Sequence, residues 1–430
     1  MSLNKVVSEF NELNISNSVK IKHENCYDPD NDKFWCKECV PRCVVEGWTS
    51  GNDDIDNFIK ESIYNAKNRN GYPFLLEWVP FDRFEDIKQI GEGGFAKVYS
   101  ATWIDGAAKY TKQDDGSWIK EKPYSIEVKT HWKLNCLQIN SLKFYGITKD
   151  PKTKEFVIIM EFINNGNLRN ILSSNFNEIF WKSKLYYLHC SAIDLKNLHS
   201  LKYFHRDFHS GNILGNYISD FGLSGPSDKQ KSDNKIVGVL PYIAPEVLNG
   251  ESYTLFSDIY SFGVVMTEVS SGKPPFHNRK HDTSLALDIC NGLRPEFGKG
   301  TPEIYKKLAH RCMNANPNQR PTANELEGIL YCWVHNYGNE KYGYKGEEVI
   351  AAFNEANKEI PNISTSYEKN SDAIYTSRAF TFNNLSKPIN SSFITSLYLS
   401  EENSEDCQDS QLIDLEVPNT SKLENDDSDN

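Results

Sequence analysis

The sequence predicts an α+β fold, and three observations carry that reading. Ile90 to Val98 is a glycine-rich stretch of strand–turn–strand type, Phe156-Val157-Ile158-Ile159-Met160 is an unbroken apolar run of strand length, and Tyr187, Leu188, Ile193, Leu195 and Leu198 recur at helical intervals.

The chemistry is concentrated between these elements, in His205-Arg206-Asp207-Phe208-His209-Ser210-Gly211-Asn212-Ile213-Leu214. An aspartate and an asparagine five residues apart on one tight loop can aim a carboxylate at a substrate hydroxyl while the amide oxygen holds a metal ion. That is the division of labour phosphoryl transfer needs. Asp220-Phe221-Gly222 follows, then Ala244-Pro245-Glu246. In this order the stretches resemble the catalytic loop, the magnesium aspartate and the end of the activation segment of protein kinases. The chain is similar to the eukaryotic protein kinases, and within them to the tyrosine-kinase-like group as expanded in fungi. The resemblance implies a two-lobed kinase fold over about residues 84–334, with a small β-rich lobe before a larger helical one. It also implies ATP and Mg2+ as cofactors and a protein substrate.

The remaining bounds come from composition. A chain of 430 residues leaves material on both sides of such a region, which divides it into a cysteine-containing leader at 1–50, a helical linker at 51–83, the kinase region and a tail from 335. No run approaches the roughly 18 apolar residues of a membrane helix, and Met1 to Lys20 is too polar for a secretory signal, so no membrane is expected as a partner. Ten scattered cysteines fit reduced thiols of the cytoplasm or nucleus. Of the net charge of −12, about −10 falls after residue 400, where eleven acidic residues face one lysine. The rest is close to neutral and has no basic face, which sets nucleic acid aside as a partner.

In the leader, His23-Glu24-Asn25-Cys26 and Cys36-Lys37-Glu38-Cys39 are two ligand pairs of tight spacing. They could close a structural zinc site from His23, Cys26, Cys36 and Cys39, with Cys43 as a spare; ordinary free thiols are an equal alternative. Ile55, Phe58, Ile59 and Ile63 then predict a short amphipathic helix, and Leu75 to Phe81 an apolar segment packed on the small lobe.

By resemblance, Ile90, Gly91, Gly93, Gly94 and Val98 close over the nucleotide phosphates and adenine, with Ala96 in place of the third glycine. Kinases follow this loop with a strand lysine that pairs with a helix glutamate. Val128, Trp132 and Leu134 have helical spacing and make Glu127 the helix glutamate, but no ordinary strand precedes it. Three placements stay open. Lys109 has the right distance, though Asp114-Asp115-Gly116 is a turn signal that puts it beside an inserted hairpin. Ile126-Glu127-Val128-Lys129 could itself be the strand, at the expense of a glutamate in the adenine pocket. In the third placement the strand is deleted, and the reading favours loss of a normal pair. Met160, Glu161 and Ile163 at the hinge and Leu214 complete the implied nucleotide site.

In the catalytic loop the resemblance makes Asp207 the group that orients the acceptor hydroxyl, and Asn212 and Asp220 the magnesium ligands. His209 stands where the family has a lysine, so the transferring phosphate would face a cation only partly charged at neutral pH. Arginine two or four places after Asp207 would indicate tyrosine acceptors, and neither is present. Leu214-Gly215-Asn216-Tyr217 predicts a two-residue hairpin. Ser227 or Ser232, once phosphorylated, could pair with Arg206, but simply solvated serines are the favoured alternative. Asp258 is expected to hold the catalytic-loop backbone, and Arg320 to pair with Glu246.

After Gly346 one helix is expected, with Val349, Ile350 and Phe353 on one side, and disorder from about residue 360. Two functions survive: a kinase that phosphorylates a protein hydroxyl, Ser/Thr before Tyr, and a pseudokinase scaffold with a truncated third strand and C-helix. Either could recruit signalling partners through the leader and the acidic tail.

Overall fold

The computed structural model describes residues 47–391 except 65–67, 70–71, 74–75, 93–96, 107–109, 113–117, 121–125, 132–143, 165, 227–235, 336–345 and 383–384. Helix α1 (Asp53–Tyr64) starts where Asn52 Oδ1 accepts the Ile55 N–H at 3.1 Å, and it buries Ile55, Phe58, Ile59 and Ile63.

Six strands form one sheet: β1 (Glu77–Trp78), β2 (Phe84–Glu92), β3 (Lys97–Trp103), β6 (Ile126–His131), β7 (Phe144–Lys149) and β8 (Phe156–Glu161), in the order β1-β7-β8-β6-β3-β2. All pairings are antiparallel except β1 with β7. The apolar segment before residue 84 thus joins the sheet as an edge strand. Its approach is close enough that a Cβ on Gly146 would lie 2.0 Å from the Glu77 carbonyl oxygen, which only glycine avoids. Val79, Phe84, Ala101, Trp103 and Ile159 form the core on the sheet.

Between β3 and β6 the chain makes a separate hairpin of β4 (Tyr110–Lys112) and β5 (Trp118–Lys120), with the Asp114-Asp115-Gly116 signal between its arms. This insertion explains why the third strand looks deleted in the sequence. The strand is present as β6, but an added hairpin separates it from the glycine-rich stretch. Alternating Ile126, Val128 and Thr130 supply its β-branched residues.

The rest is helical. Helix α2 (Leu168–Asn175) is capped by Asn167, whose side chain accepts the Asn170 N–H at 2.9 Å. It leads to α3 (Trp181–Ser200), the hairpin β9 (Ile213–Leu214) and β10 (Tyr217–Ile218), and β11 (Ile236–Gly238). Then come α4 (Leu255–Ser271), α5 (Thr283–Cys290), α6 (Glu303–Cys312) and α7 (Ala323–His335). Helices α3, α4, α6 and α7 enclose one apolar core that includes Leu188, Leu195, Phe262, Val265, Leu308 and Leu330. No helix among the described residues is long and apolar enough to cross a membrane.

Helix α8 (Gly346–Glu359) buries Val349, Phe353 and Ala356, while Ile350 is only half-buried. Phe353 packs on Trp181 and Trp333, and Asn357 Oδ1 accepts the Trp181 N–H at 2.8 Å. Disorder does not begin near 360 as expected. Ile360, Ile363 and Ala373 are buried, and β12 (Arg378–Phe380) pairs antiparallel with β11. A sparse apolar content suffices here because the helical lobe supplies the opposing surface and the backbone partners.

Candidate active site

Asp258, in the first turn of α4, sets the position of the catalytic loop. Its carboxylate accepts the backbone N–H groups of His205 at 2.8 Å and Arg206 at 2.9 Å, and His199 Nε2 lies 2.9 Å away. Burial opposes its ionisation, but these bonds and the two imidazoles outweigh burial and hold the carboxyl below its usual range. Arg206 takes a left-handed φ of 65°, so the chain turns sharply immediately before Asp207.

Asp207 is buried, and Asn212 is fixed against it. Asn212 Nδ2 donates to the Asp207 carbonyl at 3.0 Å and lies 3.5 Å from Oδ2. Oδ2 also accepts the Ser377 hydroxyl, whereas Oδ1, among the described residues, has no hydrogen-bond partner. Burial pushes the Asp207 carboxyl up to about 7, with the Asp220 charge adding to the rise, against the bonds from Ser377 and Asn212 and the charge of Arg169.

The β9–β10 hairpin turns through Gly215 at φ 55°, and Ser219 then donates its N–H to Asn212 O at 2.7 Å, which brings Asp220 back beside the loop. Asp220 has a left-handed φ of 57° and its side chain accepts the Gly222 N–H at 3.3 Å. Asn212 commits its amide nitrogen to Asp207, which leaves its oxygen free for a hard cation such as Mg2+; the Asp220 carboxylate and Asp207 Oδ1, which has no hydrogen-bond partner among the described residues, are oxygen donors of the same kind.

His209 differs from expectation. Its Nδ1 accepts the Gly211 N–H at 3.0 Å, leaving the ring proton on Nε2, which lies 3.7 Å from Asp207 Oδ1. Burial, together with the nearby Arg169 charge, holds the imidazole well below its usual pKa, so His209 is neutral rather than a partly charged substitute for lysine. The cation here is Arg169. Its guanidinium reaches Glu268 Oε1 at 3.3 Å and Tyr242 Oη at 3.1 Å, and Tyr242 donates to Glu268 Oε2 at 2.5 Å.

On the nucleotide side, Gly91 faces Val98 across β2 and β3, and Ile90 is exposed. Met160 and Glu161 end β8. Ile163 reaches the β9–β10 hairpin, where its Cγ2 would lie 3.3 Å from a Cβ on Gly215, beside buried Leu214. The hinge and the floor of the cleft therefore meet. Lys129 lies in β6 opposite Ser100 on one side and Met160 on the other. Glu127 lies in the same strand, opposite Thr102, and cannot be a helix residue. Val128, Trp132 and Leu134 are separated by even numbers, so their spacing fits strand alternation as well as a helix. Lys109, Gly93, Gly94, Ser227, Ser232, the segment 132–143 and the zinc candidates His23, Cys26, Cys36 and Cys39 lie outside the described residues. Among the described residues no cluster of His, Cys, Asp and Glu suited to a metal ion occurs.

Glu246 is held by Arg320 through two buried bonds of 2.7 Å, a structural pair. Sequence reasoning did not find Arg169, Tyr242, Glu268 or Ser377. The first three meet only through helix packing. The last carried a faint signal, since Arg378, Phe380 and Phe382 alternate with Ala379 and Thr381 as in a strand.

Comparison with known proteins finds protein kinases. A probable serine/threonine-protein kinase of Dictyostelium discoideum is 30% identical over 275 residues, which make up 58% of this chain and 15% of that protein. The kinase mkcD of the same organism is 29% identical over 269 residues, 59% of this chain and 40% of its own length. A probable LIM domain-containing serine/threonine-protein kinase, also from Dictyostelium discoideum, is 30% identical over 250 residues, 56% and 38% of the two chains. The chain thus spans less than half the length of each of these relatives. The protein kinase domain family matches residues 84–331, more than half of the chain, and the chain belongs to that family.

Proposed function

We propose that the chain is an ATP- and magnesium-dependent protein kinase that phosphorylates serine or threonine hydroxyls. The observation that supports this reading is the loop held by Asp258, on which Asn212 is bonded to Asp207 and an Asp207 oxygen accepts a serine hydroxyl. Asp207 orients the acceptor hydroxyl and takes its proton as the oxygen attacks the γ-phosphorus. Asn212 and Asp220 would hold Mg2+, which when bound neutralises charge on the phosphates. Lys129, which pairs in register with Ser100 and Met160 in β6, would be the residue that grips the nucleotide phosphates. Arg169 supplies fixed positive charge near Asp207 in place of the family's lysine.

Serine or threonine is favoured over tyrosine by the absence of arginine two or four places after Asp207, by the names of the relatives and by the serine seated on Asp207. The scaffold alternative rested on a missing strand, and β6 fills that place. Membership of the tyrosine-kinase-like group rests on the sequence resemblance alone. Zinc at His23, Cys26, Cys36 and Cys39, which metal analysis of the purified chain tests, rests on ligand spacing, and recruitment of signalling partners on the cysteines of the leader and the acidity of the tail. A cytoplasmic or nuclear location follows from cysteine usage, and fluorescence imaging of the tagged chain tests it.

The test is transfer of labelled γ-phosphate from Mg-ATP to a generic protein substrate. Asp207→Asn and Asp220→Asn are expected to lower the rate by about 10²-fold or more. Equal rates in all three proteins would sink the assignment.

A further inference from the structure

We propose that Ser377 is an intramolecular phosphoacceptor, and that the segment around it lies in the acceptor groove as a substrate in cis. This rests on the kinase reading above. Four observations carry it. The Ser377 hydroxyl donates to Asp207 Oδ2, the atom that must receive an acceptor's proton. The three residues that follow form β12, an edge strand on β11 in the register Gly238↔Arg378, Val237↔Ala379 and Ile236↔Phe380. An extended peptide added to a sheet edge is a recurring way for a protein to read a substrate main chain. On the other side of Ser377, Arg169 grips Tyr375 twice, through its carbonyl oxygen at 3.4 Å and with the guanidinium 4.8 Å from the ring centre. Tyr375 Oη donates to Pro275 O at 2.9 Å, His281 Nδ1–H donates to Ile374 O at 2.9 Å, and Arg378 donates to His281 O at 2.6 Å. The segment is thus fixed on both sides of the serine.

Beyond it, Ile389 N–H donates to Cys290 O at 2.9 Å, and Asn390 Oδ1 accepts the Ala315 N–H at 2.7 Å, so the strap is tied at its far end as well. Helix α8 ties the near end. A tethered acceptor of this kind meets the groove at an effective concentration of about a millimolar, which an external substrate must overcome.

The transfer balances without another reactant. Ser377 Oγ forms a bond to the γ-phosphorus of ATP, and the bond from that phosphorus to the bridging oxygen breaks with its electron pair leaving on ADP. The hydroxyl proton passes to Asp207 and then to solvent. The phosphoserine dianion then faces the carboxylates of Asp207 and Asp220, and like charges at that distance drive the strap out of the groove. The strap therefore blocks external substrates until it has been phosphorylated once.

The full chain is incubated with Mg-ATP, modified sites are mapped by mass spectrometry, and the rate is followed at several chain concentrations. The expected result is phosphate on Ser377 at a rate independent of concentration, and no phosphate there in Ser377→Ala. Tyr375→Ala/Phe380→Asp, which loosens the strap on both sides of the serine, is expected to abolish the lag that wild type shows before it phosphorylates a generic substrate. Phosphorylation of the generic substrate with Ser377 unmodified overturns the proposal, and so does a rate that rises with chain concentration. Hydrogen exchange separates the two readings without catalysis. Protection of residues 236–238 and 378–380, lost together in the double variant, shows that the groove is occupied. No transfer to any acceptor despite that protection overturns the kinase reading and, with it, phosphorylation of Ser377. Absence of protection overturns the strap itself.

Discussion

Arg320 holds Glu246 by two parallel N–H···O bonds of 2.7 Å, and both side chains are excluded from water. Arg320→Met leaves a carboxylate buried without its partner and is expected to destabilise the fold by about 3–5 kcal/mol. Arg320→Lys recovers little, because an ammonium cannot reproduce the planar fork. Urea unfolding midpoints measure both. A loss below about 1 kcal/mol would mean that water reaches the pair.

Asp258 accepts the His205 and Arg206 N–H groups, so Asp258→Ala strands two buried donors. A stability loss of about 2–4 kcal/mol follows, and kcat falls while ATP still binds, because the loop that carries Asp207 loses its aim. Steady-state kinetics with ATP varied separates the two parameters. An unchanged kcat would show that the loop does not depend on Asp258.

Lys129 lies in β6, opposite Ser100 and Met160, and Lys109 precedes the inserted hairpin in the sequence. Lys129→Met is expected to slow phosphoryl transfer by about 10²-fold, whereas Lys109→Met stays near the wild-type rate. Initial rates at saturating ATP decide between them. The reverse order would return the phosphate grip to Lys109.

Lys184 is buried with its ammonium 3.5 Å from the centre of the Phe176 ring, and burial lowers its pKa from 10.5 to about 7. Between these values the unfolded chain binds more protons than the folded one, so this group makes stability rise with pH across that window. Its contribution is on the order of 3 kcal/mol once the ring's attraction for a cation is set against burial. Lys184→Met should therefore be more stable than wild type near neutral pH, with the gap closing toward pH 10.5. Unfolding midpoints of both proteins at three pH values test this, and a gap that does not change with pH would refute it.

Short-range chemistry was legible in the sequence. Asp207, Asn212 and Asp220 sit on one loop and one two-residue hairpin, and their roles depend on local spacing that backbone geometry can hardly alter. The pairs Arg320 with Glu246 and Asp258 with the loop were equally readable, because their flanking residues mark their places.

What depends on distance along the chain was not legible. A hairpin inserted between β3 and β6 made a present strand look absent and put Glu127 on a helix. The charge of His209 could not be read either, because its burial and the approach of Arg169 come from another element. Ser377 reaches Asp207 across 170 residues, a contact held by packing of the segment on Arg169, His281 and β11. The sequence by itself determined the reaction class, since the reacting groups are neighbours on one loop. Only the tertiary structure decided that Lys129 lies in the sheet and that Ser377 meets Asp207, since both follow from packing between segments whose separation no local pattern encodes.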